Sequence, residues 1–170
     1  RRHRRRDSPW LVQAYRLFFG KNSMIEIKCG QGGKYVEWAD KHILTDDSFP
    51  EDSVYIALVD GEKIRGVTVF TDYRGDSISL HGAGAFVGWM TPRYVRFVYD
   101  YIFNQLGCKR VGVMVRTDNI KAIVTDLKMG YKFEGCLRHA DTDGSDLYIM
   151  GMTREECRWI KKDTMVGKEG

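Results

Sequence analysis

The sequence lacks the segments and residue spacings that would place it in a membrane, around a metal or under disulfide control. None of its apolar runs approaches the ~18 residues that a membrane-spanning helix needs, and no stretch resembles a signal peptide with its cleavage site. Its four cysteines show no C-x-x-C spacing, and no histidine stands at the distance of a zinc ligand. We therefore expect a soluble, cytoplasmic protein that needs neither disulfides nor zinc.

Positive charge is concentrated at one end of the sequence. The formal net charge is +4, but residues 1–23 hold seven Lys or Arg against one acid, a net charge of +6. Residues 24–170 hold 20 basic and 22 acidic side chains and are close to neutral. Attraction to nucleic-acid phosphates is therefore expected only from the RRHRRR head.

The length of 170 residues favours one domain with a substantial core. We predict that residues 24–170 form this domain and that residues 1–23 are a basic and apolar N-terminal extension. A helical face in the extension would comprise Trp10, Leu11, Ala14, Tyr15 and Phe18. An appended or upstream segment, an element that packs on the domain or on a partner, and an organellar transit peptide remain alternatives for it.

The hydrophobic pattern predicts a mixed α/β fold, with helices on both faces of a largely antiparallel sheet. We expect strands that open at Met24 and then cover residues 54–59, 64–70, 77–86, 110–115, 131–137 and 146–152. We expect helices over residues 33–44, 91–107 and 119–130, and a short one from Thr153. The buried face of the third helix would be formed by Ile120, Ile123, Val124 and Leu127. Gly82 and Gly84 inside a strand suggest a bulge or a close approach of a ligand to the backbone.

The stretch from Gly84 to Asp141 organises the domain, because two helices start in it directly after strands. Thr91-Pro92 pairs a capping hydroxyl with proline at the first helical position, and Asn119 is a second capping residue. Helix starts present unpaired N–H groups and the positive end of the helix dipole. A phosphate-bearing ligand is therefore expected at these two starts.

The segment RVGVMVRTDNIKAIVTDLKMGYKFEGCLRHAD, residues 110–141, resembles the GNAT acyltransferases. It is similar to their pattern of a strand, D-N-x-x-S/A, a helix that ends in L-G-F, and E-G-x-L-R. Within that family it looks most like the Rim-type ribosomal-protein N-terminal acetyltransferases and GNAT proteins of phages and prophages. The likeness extends more loosely over residues 24–160 and implies a GNAT-like fold.

The resemblance also implies acetyl-CoA as the acyl donor, cradled by a Q/R-x-x-G-x-G/A loop. The matching positions are 85–90, where Gly88 fits and where the first polar residue and the last glycine are absent. Trp89 would stack on the coenzyme or wall the groove, and Arg93 would supply positive charge. The implied coenzyme site comprises Phe86, Val87, Gly88, Trp89, Met90, Thr91, Arg93 and Asn119.

Acetyl transfer to an amine needs a neutral amine, a hydrogen-bond donor for the oxyanion and a proton for the leaving thiol. In the family a tyrosine or a serine supplies that proton, and the corresponding positions here are Asp126 and Ala122. The acidic residue that serves as base in Rim-type enzymes corresponds to Asp141. Asp141 is therefore the candidate base, with an exposed turn aspartate as the alternative, whereas His81 and His139 are expected in structural or solvent roles.

A weak base favours particular acceptors. An α-amine with a pKa of about 7.8 needs about 3.5 kcal/mol less than a lysine of about 10.4 to lose its proton at neutral pH. We therefore expect an N-terminal α-amine or a small-molecule amine as acceptor. The alternatives are a catalytically degenerate GNAT fold that acts as a structural or binding module, for example of a phage, and a nucleic-acid-directed enzyme that uses the basic head. Assembly into a homodimer is a further alternative.

Overall fold

A computed structural model describes residues 25–43 and 48–161. Residues 1–24 are outside the described range, so the expectations for the basic extension and for Met24 are not addressed by it. The parts of the first expected helix and of the following turn that fall on residues 44–47 also lie outside it.

Seven strands form one sheet in the order β1-β2-β3-β4-β5-β7-β6. The strands are β1 (Ile25–Gln31), β2 (Val54–Asp60), β3 (Lys63–Thr71), β4 (Ser77–Gly84), β5 (Arg110–Arg116), β6 (Lys132–Leu137) and β7 (Leu147–Thr153). The β4 and β5 pair is parallel, and the other pairs among the described strands are antiparallel. The expected mixed, mostly antiparallel sheet is confirmed.

Three α-helices accompany the sheet in the described residues: α1 (Lys34–His42), α2 (Pro92–Asp100) and α3 (Ile120–Met129). A π-helical turn, Tyr101–Gln105, continues α2. The predicted start of α2 is confirmed, because the Tyr94 amide donates to the Thr91 hydroxyl over 3.3 Å and proline follows the cap. Gly130 ends α3 in the left-handed conformation with φ 112°.

The alternation of strand side chains divides the core between the two faces of the sheet. On one face, Ile56, Leu58 and Phe70 pack with α2 and with Ile123 of α3. On the other face, Val67 and Val69 pack with Tyr35 and Ala39 of α1 and with the partly buried Phe49. We call these the α2 face and the α1 face.

Three details of the predicted elements are wrong. β4 ends at Gly84, not at residue 86. On α3, Ile123 is buried, but Ile120, Val124 and Leu127 are 62%, 41% and 45% exposed. Ile120 and Val124 are exposed because they border an open cavity. No helix begins at Thr153 in the described chain; a turn follows β7, in which the Glu156 carboxylate accepts from the Thr153 amide.

Within residues 25–43 and 48–161, no helix is long and apolar enough to cross a membrane. The same residues contain no cluster of three His, Cys, Asp or Glu side chains that could hold a metal ion.

Candidate active site

The central feature of the molecule is a split between β4 and β5. These strands pair over three positions, from Ser77 opposite Arg110 to Ser79 opposite Gly112. β4 then runs on to Gly84 and β5 to Arg116 without pairing further. A cavity of about 1500 Å³ opens here, with a lining that includes Phe49 and His81 from the α1 face and Tyr94 and Val95 from the α2 face. The cavity therefore passes through the sheet.

The loop between β4 and α2 borders this cavity with exposed backbone. Gly88 has φ 86°, and a Cβ built on it would meet no atom within 4 Å. Val87 is 90% exposed, and Phe86 packs under the guanidinium of Arg65, whose carbon lies 5.1 Å from the ring centroid. Within the described chain, the backbone N–H groups of residues 86–90 have no hydrogen-bond partner. This loop can therefore donate hydrogen bonds to a ligand in the cavity.

The starts of α2 and α3 lie at the same cavity. Met90 precedes the α2 cap, and Asn119 caps α3 by accepting from the Ala122 amide over 3.2 Å. Asn119, Lys121 and Lys128 all line the cavity. Arg93 is exposed on the first turn of α2 and is not among the lining residues. Two helix dipoles and two lysines thus favour negative charge on this side.

Trp89 occupies the space that was expected for a ligand beside Gly84. A Cβ built on Gly84, or on Gly66 of β3, would overlap the indole ring. The indole is 7% exposed and packs against Tyr94, with ring centroids 5.2 Å apart. Of the two predicted roles of Trp89, the buried position favours the wall of the groove. Gly84 therefore makes room for a side chain of the same protein.

Asp141 lines the cavity, but its carboxylate is already engaged. It accepts from Arg116 over 3.2 Å and from the Thr142 amide over 2.9 Å, and 11% of the side chain is exposed. Arg116 also pairs with Asp143 at 2.7 Å and with Asp118 at 2.9 Å. These contacts give Asp141 a clear role in holding the turn before β7. Its role as a base remains a prediction.

Comparison with solved structures finds acetyltransferases with a similar fold. An acetyltransferase of the GNAT family from Streptococcus pneumoniae superposes with a TM-score of 0.60 at 15% identity, over 76% of this chain and 98% of that one. Spermidine N-acetyltransferase from Vibrio cholerae, in a dodecameric structure, gives 0.55 at 16% identity, over 61% and 66%. A candidate acetyltransferase from T. thermophilus gives 0.54 at 20% identity, over 61% and 60%.

The chain has the GNAT fold. The match spans somewhat less than two thirds of the T. thermophilus and Vibrio proteins, so the likeness concerns their shared fold. No protein-family model and no curated protein matches the sequence. The sequence-based prediction of a GNAT-like fold is confirmed, whereas the Rim-type and phage subtypes are not tested by these structures.

Asp126 lines the cavity on α3, and the sequence did not reveal its environment. The resemblance of residues 110–141 to the GNAT acyltransferases implies a tyrosine at this position. Burial raises the pKa of its carboxyl to about 7. Its neighbours Tyr99 and Tyr131 share a buried hydrogen bond of 3.2 Å between their hydroxyls. Asp126 can therefore gain and lose a proton near neutral pH.

His81, for which the sequence predicts a structural or solvent role, also lines the cavity. Its Nε2 lies 3.0 Å from the hydroxyl of Thr71, and its ring meets Phe49 edge-on with centroids 5.0 Å apart. Burial lowers the pKa of its imidazole, and the nearby Asp72 opposes that shift. No local sequence pattern indicated these partners, because Thr71 at the end of β3 and Asp72 just after it are ten and nine residues away along the chain.

Proposed function

We propose that this protein transfers the acetyl group of acetyl-CoA to an amine by direct attack of the amine on the thioester. The observation that carries the proposal is the cavity that passes through the split between β4 and β5. A thioester approaching from the α2 face and an amine approaching from the α1 face would meet where the strands part. Such a meeting point supplies the orientation that a two-substrate transfer needs.

One side of the cavity, formed by residues 86–90 and the starts of α2 and α3, suits a pyrophosphate, and we call it the coenzyme end. The N–H groups of residues 86–90, unpartnered within the described chain, and the starts of α2 and α3 favour an anion, and Lys121 and Lys128 add positive charge. Gly88 lets the backbone approach a phosphate closely because nothing occupies the space beside its Cα. These contacts compensate for the polar residue that the loop lacks.

Direct attack is favoured because no thiol is placed to carry the acetyl group. None of the four cysteines, all of which lie in the described ranges, lines the cavity. Burial raises the pKa of Cys29 to about 12 and that of Cys108, together with the charge of Asp76, to about 11. Such thiols are protonated at neutral pH and are poor nucleophiles.

The side of the cavity on the α1 face, which we call the acceptor end, suits an amine that arrives as a cation. Asp52 and Asp72 line it together with the aromatic rings of Phe49 and Tyr73. Carboxylates attract an ammonium group, and aromatic faces stabilise it further. An N-terminal α-amine or a small-molecule amine remains the proposed acceptor. The neutral form of an α-amine is easier to reach than that of lysine because its pKa is lower.

A catalytically inactive GNAT fold that binds a partner is the second candidate. The exposed apolar side chains of Phe86 and Val87 on the coenzyme loop favour it, since such residues are also suited to a protein contact. The two candidates differ in whether a free thiol is released.

The test is an acceptor panel with the full chain and acetyl-CoA, with thiol release and acetylated product both measured. The panel comprises a peptide with a free α-amine, an α-acetylated peptide whose amine is a lysine, and spermidine. We expect turnover that depends on an amine and that is faster for the α-amine peptide than for the lysine peptide. Acetyl-CoA that binds without any amine-dependent thiol release would favour the inactive module. Equal turnover of the two peptides would remove the acceptor preference.

A further inference from the structure

His81 stands at the point where the two halves of the proposed reaction would meet. The last β4 position that pairs with β5 is Ser79, so His81 is the second residue beyond the start of the split. It lies opposite Val69 in the β3 register, and its contact with Phe49 places it on the α1 face. The side chain is half-buried and lines the cavity. This is the side opposite the helix starts of the coenzyme end.

The hydrogen bonds of Thr71 select one tautomer of His81. The Thr71 hydroxyl donates its single proton to Asp72 Oδ2 over 3.2 Å. Its oxygen, 3.0 Å from His81 Nε2, must then accept a proton from that nitrogen. Nδ1 is left with a lone pair and is the proton-accepting atom of the ring. A carboxylate, a hydroxyl and an imidazole thus form a chain that resembles the orientation of a general base.

The backbone at the far end of this chain is strained. Asp72 has φ 52°, a left-handed conformation that a non-glycine residue rarely adopts. Such residues persist where the surroundings hold them, and they cluster at functional sites. Here the strained residue is the one that accepts from Thr71.

Few charged side chains lie near the imidazole of His81. The charged group that acts on its imidazole is Asp72, on the segment after β3, and Asp52 and Tyr73 line the same end of the cavity. Asp40 of α1 is turned to the amide of Phe49, which it holds at 2.8 Å. No lysine or arginine of the described chain lines this end. Burial lowers the pKa of the imidazole and so favours its neutral form, while the nearby Asp72 opposes that shift and stabilises a proton once the ring has gained one.

We propose that His81 is the general base that takes the proton lost by the acceptor amine, oriented for this by Thr71 and Asp72. The proposal rests on the function proposed above. The ammonium form of the acceptor first loses one proton to solvent, which leaves a lone pair on nitrogen. As this neutral amine nitrogen bonds to the thioester carbon, a second proton moves from it to Nδ1 of His81, and the carbon–sulfur bond breaks with its electrons on sulfur. The thiolate is protonated by solvent, and His81 returns its proton to solvent, so that amide and free thiol are the products.

The test compares variants of the full chain with the best acceptor of the panel. His81→Gln cannot hold the proton, and His81→Ala leaves room for free imidazole. Thr71→Val keeps the imidazole but removes its partner, and Thr71→Ser retains it. His42→Gln is the matched control, since His42 is exposed on α1, where it bonds the Trp38 carbonyl outside the cavity. Acetyl-CoA affinity is measured for each variant by calorimetry.

We expect His81→Gln to lower kcat by about 10²- to 10⁴-fold without changing acetyl-CoA affinity. Added imidazole should restore part of the turnover of His81→Ala but none of that of His81→Gln. Thr71→Val should lose less than His81→Gln, and Thr71→Ser, which restores the hydroxyl, should recover most of that loss. His42→Gln should resemble the unaltered protein. ¹⁵N spectra should report a proton on Nε2 of His81 that is lost from that position in Thr71→Val.

Other outcomes overturn the proposal. Turnover of His81→Gln equal to that of the unaltered protein would remove His81 as the base, and a larger loss in Asp141→Asn would assign the role to Asp141. A proton on Nδ1 in the spectra would contradict the tautomer independently of activity. Absence of amine-dependent turnover in the unaltered protein would remove the proposed function, and the role of His81 with it.

Discussion

At the scale of single residues, the packing beside the cavity depends on glycines that leave room for a neighbouring side chain. Trp89 lies over Gly66 and Gly84, where a Cβ would overlap the indole. Gly82, two residues before Gly84, faces the same indole at an ordinary 3.7 Å. The sequence does not distinguish Gly82 from Gly84, but their contacts with Trp89 do.

This difference gives a test of packing at one residue. Gly84→Ala should lower the free energy of unfolding by about 1–3 kcal/mol, because the indole must leave its place. Gly82→Ala is the control and should change it by less than about 0.5 kcal/mol. Urea unfolding followed by tryptophan fluorescence measures both. Equal effects of the two substitutions would show that the close approach of Trp89 is incorrect.

Asp126 predicts a pH dependence of stability. Its pKa is about 7 in the folded protein, whereas an unfolded aspartate has a pKa near 3.9, so the folded state keeps a proton that the unfolded state has lost. This contribution is complete below pH ~4, is lost as the pH rises to about 7, and has a slope of up to about 1.4 kcal/mol per pH unit. Asp126→Asn should flatten that part of the curve in urea titrations at successive pH values. A variant curve parallel to that of the unaltered protein would contradict the raised pKa.

Residues whose environment depends on other segments of the chain could not be assigned from the sequence. The caps Thr91 and Asn119 were predictable, because each acts on its own helix. The partners of His81 and the burial of Asp126 come from neighbouring strands and helices, so no local pattern encodes them. Asp141 was named as the candidate base by resemblance. Its ion pair with Arg116 could not be predicted, because two separate segments must meet to form it.

At the scale of elements, α3 connects the coenzyme end of the cavity to the core. It is attached to the α2-face core through the buried Ile123, while Ile120 and Val124 border the cavity. The apolar period of this helix was read correctly, but its face was expected to be covered. Periodicity reports which side chains share a face, and the neighbouring split decides how much of that face is buried.

The start of α3 gives the prediction for this scale. Asn119→Ala should lower the free energy of unfolding by about 1 kcal/mol, because the Ala122 amide loses its acceptor. Asn119→Asp keeps an acceptor oxygen and should retain most of the stability. Urea unfolding of both variants measures the difference. A loss in Asn119→Asp as large as that in Asn119→Ala would show that the acceptor oxygen does not account for the stability that residue 119 contributes.

At the scale of the whole molecule, the strand order places the cavity. A single parallel pair, β4 with β5, stands among the antiparallel pairs of the described sheet, and it is the pair that opens. The alternation of elements in the sequence predicted the mixed sheet and the two helix starts at its open end. How far the two strands pair before they part could not be predicted, because it depends on the packing of Trp89 and the helices on both faces.

Calorimetry of the full chain with acetyl-CoA tests directly whether the coenzyme binds at this split. Gly88→Trp should fill the coenzyme end, because the space beside Gly88 is open. Gly75→Trp is the matched control, since Gly75 has the same φ of 86° and equally open surroundings but lies outside the cavity lining. We expect micromolar binding that Gly88→Trp abolishes and Gly75→Trp retains. No binding at millimolar acetyl-CoA, or equal loss in both variants, would contradict this expectation.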